Sequence, residues 1–182
     1  GGSNGHLKIY NKNGEEVANL VGHTGEVWSI AIDGDRLVSG SGDQTIKVWD
    51  LASLKNIEKT YNEQYIASLV EMLKISREKV IEIANQIKDN NIYKTTEIHP
   101  LLSLFVGSDN EWVMWDNNGF FDASDNGAKY IGYHINKGSD KEAEFVSVDK
   151  VYKSFYRPDL IAKVLNGESL EEYAKQINIQ NI

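Results

Sequence analysis

Residues 22–50, GHTGEVWSIAIDGDRLVSGSGDQTIKVWD, constrain the fold more than any other stretch of this chain. Residues 26–33 alternate large apolar residues with small or polar ones, and residues 36–39 and 45–49 do the same. Each run has the length and the period of two expected of a β-strand. Between them lie Asp33-Gly34-Asp35 and Gly40-Ser41-Gly42-Asp43. These are turn clusters, in which glycine supplies positive φ and aspartate accepts backbone hydrogen bonds. Three strands this short cannot bury both of their faces alone, so the unit needs neighbours in front and behind.

The Gly22-His23 pair, the run SGSGDQTIKVWD and the length between them resemble the WD-repeat family. The resemblance implies one blade of a β-propeller, braced by a buried hydrogen-bond chain from Asp43 to His23 to Ser39 to Trp49. A buried imidazole needs partners on both nitrogens and a buried indole N–H needs an acceptor, so this assignment makes His23 a core residue rather than a catalyst or ligand. The resemblance also implies that Glu26 and Trp28, with Gly42 in the loop beside them, lie on a face that binds other proteins. An exposed tryptophan there is a natural hot spot. The alternative is that Trp28 packs between blades.

The residues before Gly22 fit the same register. Residues 7–10 (LKIY) align with 46–49 (IKVW), and Asn11 stands where Asp50 stands in the next unit. Residues 15–21 read as the outer strand of an earlier blade, and Gly5-His6 falls in a turn. Residues 56–61 are predicted to be the outer strand following Trp49-Asp50, after which the repeat stops. Repeats of this class run roughly 40–45 residues, with 4–8 blades closing a ring. A chain of 182 residues shows one full repeat and part of another. The expectation is therefore a fragment of a larger protein entered mid-blade. Its remaining blades would come from the parent chain or from oligomerisation, unless later segments are blades diverged beyond reading.

From Glu63 the apolar period lengthens. Ile66, Leu69, Val70 and Leu73 form one stripe and Val80, Ile83, Ala84 and Ile87 another, with Ser76 placed to cap the second helix. A helical hairpin ending near Asp89 follows. Residues 66–87 faintly resemble a helix-turn-helix DNA reader at Val70, Ile75, Ser76 and Val80. Lys74 stands where that turn usually has glycine, and Glu78 and Glu82 would face phosphates poorly. An insertion packed on a propeller edge fits better.

Pro100 opens a third region. Residues 101–107 and 111–116 read as strands, and Asn117-Asn118-Gly119 as a hairpin turn into Phe120-Phe121. Trp115-Asp116 mimics the end of a WD repeat without a Gly-His pair upstream. Trp112, Trp115, Phe120, Phe121, Tyr130 and Tyr133 imply a small β core or, alternatively, an aromatic groove for a peptide. Asp122, Ser124, Asn126 and Gly127 match the start of a calcium loop, but Tyr133 stands where the bidentate glutamate belongs, so turn chemistry explains them better. Residues 101–179, most distinctively Phe155-Tyr156-Arg157-Pro158-Asp159, resemble a segment of bacterial WD-repeat proteins that also carry a caspase-like peptidase domain. Pro158 suits a helix's first turn, Asp159 its positive end, and Gly167 its stop. Ser169 and Glu172 form a capping box for a last short helix, and Arg157 is expected to pair with an acidic neighbour.

The net charge of -8 argues against a general nucleic-acid binder. No run is long and apolar enough for a membrane span, and the N-terminus lacks a signal-peptide pattern. The absence of cysteine excludes a cysteine nucleophile, thiolate metal sites and disulfides from this chain. His6, His23, His99 and His134 have no metal-ligand spacing, and there is no nucleophile elbow or phosphate-binding glycine loop. The expectation is a mainly β protein with α: a partial WD-repeat propeller (residues 1–61), a helical hairpin insertion with linker (62–99) and a small α+β module (100–182). Expected function is that of a non-catalytic, cytoplasmic protein-interaction scaffold without metal or cofactor, its partner a protein or peptide. The alternatives are the regulatory portion of a caspase-like peptidase whose catalytic domain lies outside this chain, and DNA binding by residues 66–87.

Overall fold

The computed structural model describes residues 3–56, 60–135 and 144–168. The alternating run and turn clusters of residues 26–50 become three antiparallel strands, β3 (Val27–Asp33), β4 (Arg36–Ser41) and β5 (Thr45–Asp50). Gly34 closes the first turn with φ +56°, where a side chain would be strained. Two strands precede them: β1 (Leu7–Tyr10) pairs antiparallel with β2 (Glu16–Leu20) as the expected part-blade.

The strand that follows β5 in space is not the one predicted. Of residues 56–61, predicted as that strand, 57–59 lie outside the described residues. Ala52–Asn56 is a 3-10 turn, begun where the Asp50 carboxylate accepts the Ala52 N–H at 2.8 Å, and Tyr61 makes an isolated bridge to Tyr93. The free edge of β5 pairs instead with β7 (Leu102–Val106), with Lys47 opposite Ser103. Two more strands, β8 (Trp112–Asp116) and β9 (Phe121–Ala123), extend one antiparallel sheet of order β3-β4-β5-β7-β8-β9. Sequence on both sides of the helical insertion therefore shares a single sheet. A short β6 (Thr96–Ile98) returns from the insertion and adds in parallel to β2.

The insertion is the predicted hairpin, α1 (Glu63–Leu73) and α2 (Arg77–Ile87). The Ser76 hydroxyl accepts the Lys79 N–H at 3.3 Å, and Lys74 takes the left-handed conformation, φ +56°, that ends α1. The pair has its own core of Ile66, Val80, Ala84 and Ile92. Arg77 binds the Glu63 carboxylate and lies 5.2 Å from the centroid of the Tyr61 ring.

Two further cores hold the six-stranded sheet. Leu7, Ala18, Leu20 and Ile98 of the part-blade pack against Leu37 and Trp49. At the other end, Leu102, Val113, Phe120 and Phe121 pack against two helices, α3 (Val148–Phe155) and α4 (Pro158–Leu165), through Val148, Phe155, Leu160, Ile161 and Val164. A two-stranded sheet of β10 (Gly132–Ile135) and β11 (Glu144–Ser147) precedes α3. Pro158 starts α4, Arg157 pairs with Asp159 through two contacts of 2.8 and 2.6 Å, and Gly167, at φ +91°, follows its end. Arg36 of β4 donates to the Val164 carbonyl at 3.4 Å and ties α4 to the blade. The helix predicted from Ser169 and Glu172 lies outside the described residues.

Candidate protein-interaction face

Antiparallel pairing puts Leu37 opposite Trp49 and Ser39 opposite Lys47, so these side chains project from one face of the sheet. His23, just ahead of β3, enters this face. Its Nδ1 lies 2.9 Å from Asp43 Oδ2 and its Nε2 lies 2.8 Å from Ser39 Oγ. Trp49 Nε1 donates to the same Ser39 oxygen at 2.8 Å. With the imidazole proton on Nδ1, every donor meets one acceptor: Trp49 N–H to Ser39, Ser39 O–H to His23 Nε2, and His23 Nδ1–H to Asp43.

Aspartate, histidine and serine in this order have the connectivity of a hydrolytic triad, but their surroundings remove that chemistry. The His23 side chain is fully buried and Ser39 is 1% exposed, so no substrate carbonyl can reach the oxygen. Ser39 Oγ also accepts the Trp49 indole N–H, which draws on the lone pairs a nucleophile would use. The arrangement braces strands. Burial alone would raise the Asp43 carboxyl, but hydrogen bonds from the Thr45 hydroxyl, the Thr24 N–H, His23 and the Thr45 N–H outweigh it and hold the group well below the usual carboxylate range.

Glu26, Trp28 and Gly42 are also brought together. The Gly42 N–H donates to the Glu26 carbonyl at 2.8 Å. The β3–β4 register shifts between Val27 and Ser29, which takes Trp28 out of the regular ladder. Its indole then lies over Gly42, where a Cβ would meet Cζ2 at 3.0 Å, so the glycine keeps the tryptophan's seat open. Trp28 is 74% exposed.

Sequence reasoning missed several neighbours. Ile30 and Ile32 on β3 are exposed apolar side chains on the face of Ser39 and Leu37, and Val38 on β4 and Ile46 on β5 are exposed on the opposite face. Their alternation was visible, but the elements covering each face were not. Lys47 was also missed. It is buried, and its amine donates to Ser103 Oγ at 2.8 Å. Burial pushes its ammonium below the ordinary lysine range, with the Asp43 charge opposing. The signal was its period-two spacing from Trp49, which fixes the side it projects from.

The other sequence candidates are turn and edge structure. Glu111 accepts the Ser124 hydroxyl and, at 2.9 and 3.1 Å, the Asn126 side chain and N–H. Ser124 and Asn126, two of the residues considered for calcium, thus brace the turn before β8, while the Asp122 carboxylate accepts the Ala123 N–H at 2.8 Å. Lys129 and Tyr130 hold the Asp109 carboxyl down at about 2. Among the described residues no cluster of three or more His, Cys, Asp or Glu could hold a metal ion, and no helix is long and apolar enough to cross a membrane.

Residues 14–50 match the family model described as WD domain, G-beta repeat. The chain is similar to the eukaryotic translation initiation factor 3 subunit I of Caenorhabditis elegans, 44% identical over 57 residues covering 30% of this chain and 17% of that protein. It is also similar to the subunit of the same name from Candida glabrata, 31% identical over 112 residues, 52% of this chain and 32% of that protein. A third similarity is to the WD repeat-containing protein pop1 of Schizosaccharomyces pombe, 46% identical over 46 residues, 25% and 6% of the two chains. The matches thus span between 6% and 32% of these relatives' lengths. All three come from eukaryotes, so they lend no support to a bacterial source. Residues 14–50 match a WD repeat around the braced three-stranded unit, set in a mixed fold dominated by antiparallel sheet that is consistent with part of a propeller and has no closed ring among the described residues.

Proposed function

We propose that this chain is a non-catalytic protein–protein interaction scaffold, part of a longer WD-repeat protein working in the cytoplasm. The observation that carries this is Trp28, a large aromatic side chain 74% exposed at the start of a strand that also carries exposed Ile30 and Ile32. Isolated exposed apolar residues are ordinary, whereas an aromatic within an apolar group is the usual composition of a docking site. The translation-factor relatives are named as subunits, which supports a protein partner for this chain too. Buried His23 and Ser39 leave the repeat's polar chain to bracing rather than to chemistry.

A test is capture of proteins from a cell extract on the immobilised chain and on its Trp28→Ala variant. The expected result is a set of captured proteins lost in the variant while its urea midpoint is unchanged. Equal capture by both would remove this face from the function. The resemblance of residues 101–179 carries a narrower version, the regulatory portion of a caspase-like peptidase. Without cysteine in this chain, that version requires the nucleophile elsewhere in the parent, and a coding sequence lacking a Cys-His domain would end it.

A further inference from the structure

Asparagine precedes glycine at Asn4-Gly5, Asn13-Gly14, Asn118-Gly119, Asn126-Gly127 and Asn166-Gly167. Such a pair can modify itself. The glycine nitrogen, with no β-carbon beside it, attacks the side-chain amide carbon of the asparagine. The new N–C bond closes a succinimide ring. The proton of the attacking nitrogen passes to the amide nitrogen, which leaves as ammonia. Water then opens the ring. Cleavage at the side-chain carbonyl gives aspartate. Cleavage at the backbone carbonyl gives isoaspartate, in which the chain runs on through the side chain. The reaction consumes only water, but it needs an asparagine side chain free to turn and room for the ring.

The pairs differ in both respects. The Asn118 amide donates to Asp116 at 2.8 Å and the Asn126 amide to Glu111 at 2.9 Å. The Asn4 side-chain oxygen accepts the His6 N–H at 3.3 Å, and Gly5 lies against the His23 carbonyl. Asn166 caps α4, its N–H on the Ala162 and Val164 carbonyls, and a Cβ at Gly167 would lie 3.2 Å from the Arg36 guanidinium. Asn13 is exposed, its side chain makes no hydrogen bond among the described residues, and nothing lies within 4 Å of a Cβ placed on Gly14. The Gly14 N–H donates to the Asn11 carbonyl at 3.0 Å, a kind of bond that Gly119, Gly127 and Gly167 also make, so the free side chain and the open space set this pair apart. The pair sits in the turn between β1 and β2, at the ends of both strands, so units stacked on the faces of the sheet leave it at the rim.

We propose that Asn13-Gly14 is a self-modifying turn, converting to isoaspartate and aspartate without an enzyme and ahead of the other Asn-Gly pairs, and that isoaspartate there loosens the junction between β2 and the base of the helical insertion. The span of the turn is fixed by the Asn11 N–H on the Glu15 carbonyl at 2.9 Å and by the Asn11 side-chain oxygen, which accepts the Asn13 and Glu15 N–H groups at 2.9 and 3.0 Å. Isoaspartate lengthens the backbone inside that span and adds a carboxylate beside Glu15 and Glu16. These two and Val17 line a small cleft with Asn90, Tyr93, Lys94 and Thr95 of the insertion base. β2 also carries β6, the strand returning from the insertion, with Ala18 opposite Thr96. The proposal goes beyond the scaffold reading and does not depend on it.

The test incubates the whole chain at mildly alkaline pH and follows each Asn-Gly peptide by mass spectrometry after digestion. The amide-to-acid mass gain should appear at Asn13 about tenfold faster than at Asn118 and Asn126, where a hydrogen bond to a carboxylate must first break. In urea the pairs should react at similar rates. Methyl transfer from S-adenosylmethionine by an isoaspartyl methyltransferase should label the aged chain, with the label on the Asn13 peptide, and Asn13→Gln should remove that label. Amide exchange in β2 and β6 should be several-fold faster in the aged chain than in the fresh one, and unaltered by ageing in Asn13→Gln. Conversion led by another pair, equal rates in the folded chain, or no isoaspartate at Asn13 would each overturn the self-modifying turn. Equal exchange in aged and fresh chains would overturn the loosening of the junction.

Discussion

The two ends of the six-stranded sheet are built from similar residues and meet opposite surroundings. At the β9 end, Phe121 is fully buried, its ring 5.4 Å from Tyr152 and 5.5 Å from Tyr156, and its backbone carbonyl accepts the Arg157 N–H. At the β3 end, Trp28, Ile30 and Ile32 are exposed and, among the described residues, the edge is unpaired. An aromatic and β-branched strand pattern specifies a sheet but not what covers it. The helices α3 and α4 seal one end, and the His23–Ser39–Trp49 chain ties β4 and β5 to the Asp43 turn beside the other.

The largest expected contrast comes from truncating an aromatic at each end. Phe121→Ala should cost about 3–5 kcal/mol by the usual price of a large core deletion. Trp28→Ala should stay within about 0.5 kcal/mol, as exposed substitutions do. Urea midpoints measure both, and comparable losses would mean that the two ends are not different.

The brace comes next. Ser39→Ala removes the shared oxygen and leaves the Trp49 N–H and His23 Nε2 buried without partners. The expected cost is about 1–3 kcal/mol, and a midpoint equal to the parent's would show that the chain does not hold the strands.

The pH dependence of the brace is a smaller effect. Because the folded-state carboxyl of Asp43 lies below its ordinary value of 3.8, its contribution is complete above that value and is lost as pH falls through the folded value. Asp43→Asn should lower stability near neutrality and flatten the acid limb below pH 3.8, read from thermal midpoints across pH. An unaltered acid limb would assign that limb to other carboxylates.

The smallest change tests the seat of the tryptophan. Gly42→Ala places a Cβ 3.0 Å from the Trp28 indole, which must shift. Tryptophan fluorescence should change while the urea midpoint moves by less than about 1 kcal/mol, because both residues are exposed. An unchanged spectrum would mean that the indole does not rest on Gly42.

Local pattern made much of the fold readable before the structure. Alternation placed β3, β4 and β5, the 3.6-residue period placed α1 and α2, and Pro158 and Gly167 bracketed α4. The strand completing the blade was not readable, because residues 56–61 and residues 102–106 offered the same kind of segment at very different distances. Sequence spacing favoured the near one. The structure uses the far one, since Asp50 turns the chain aside and Ser103 gives the buried Lys47 amine an acceptor. Trp28 and Gly42 were legible from the repeat pattern. Ile30 and Ile32 were legible only as strand residues, because exposure depends on the elements packed opposite them, and those are long-range.

Amide hydrogen exchange on the chain alone tests the difference between the two ends most directly. Outward-facing amides of β3 should exchange orders of magnitude faster than those of β5, β7 and β8, since they lack a second strand. Protection of all β3 amides at the level of β7 would show that its edge is already covered, and would contradict the account.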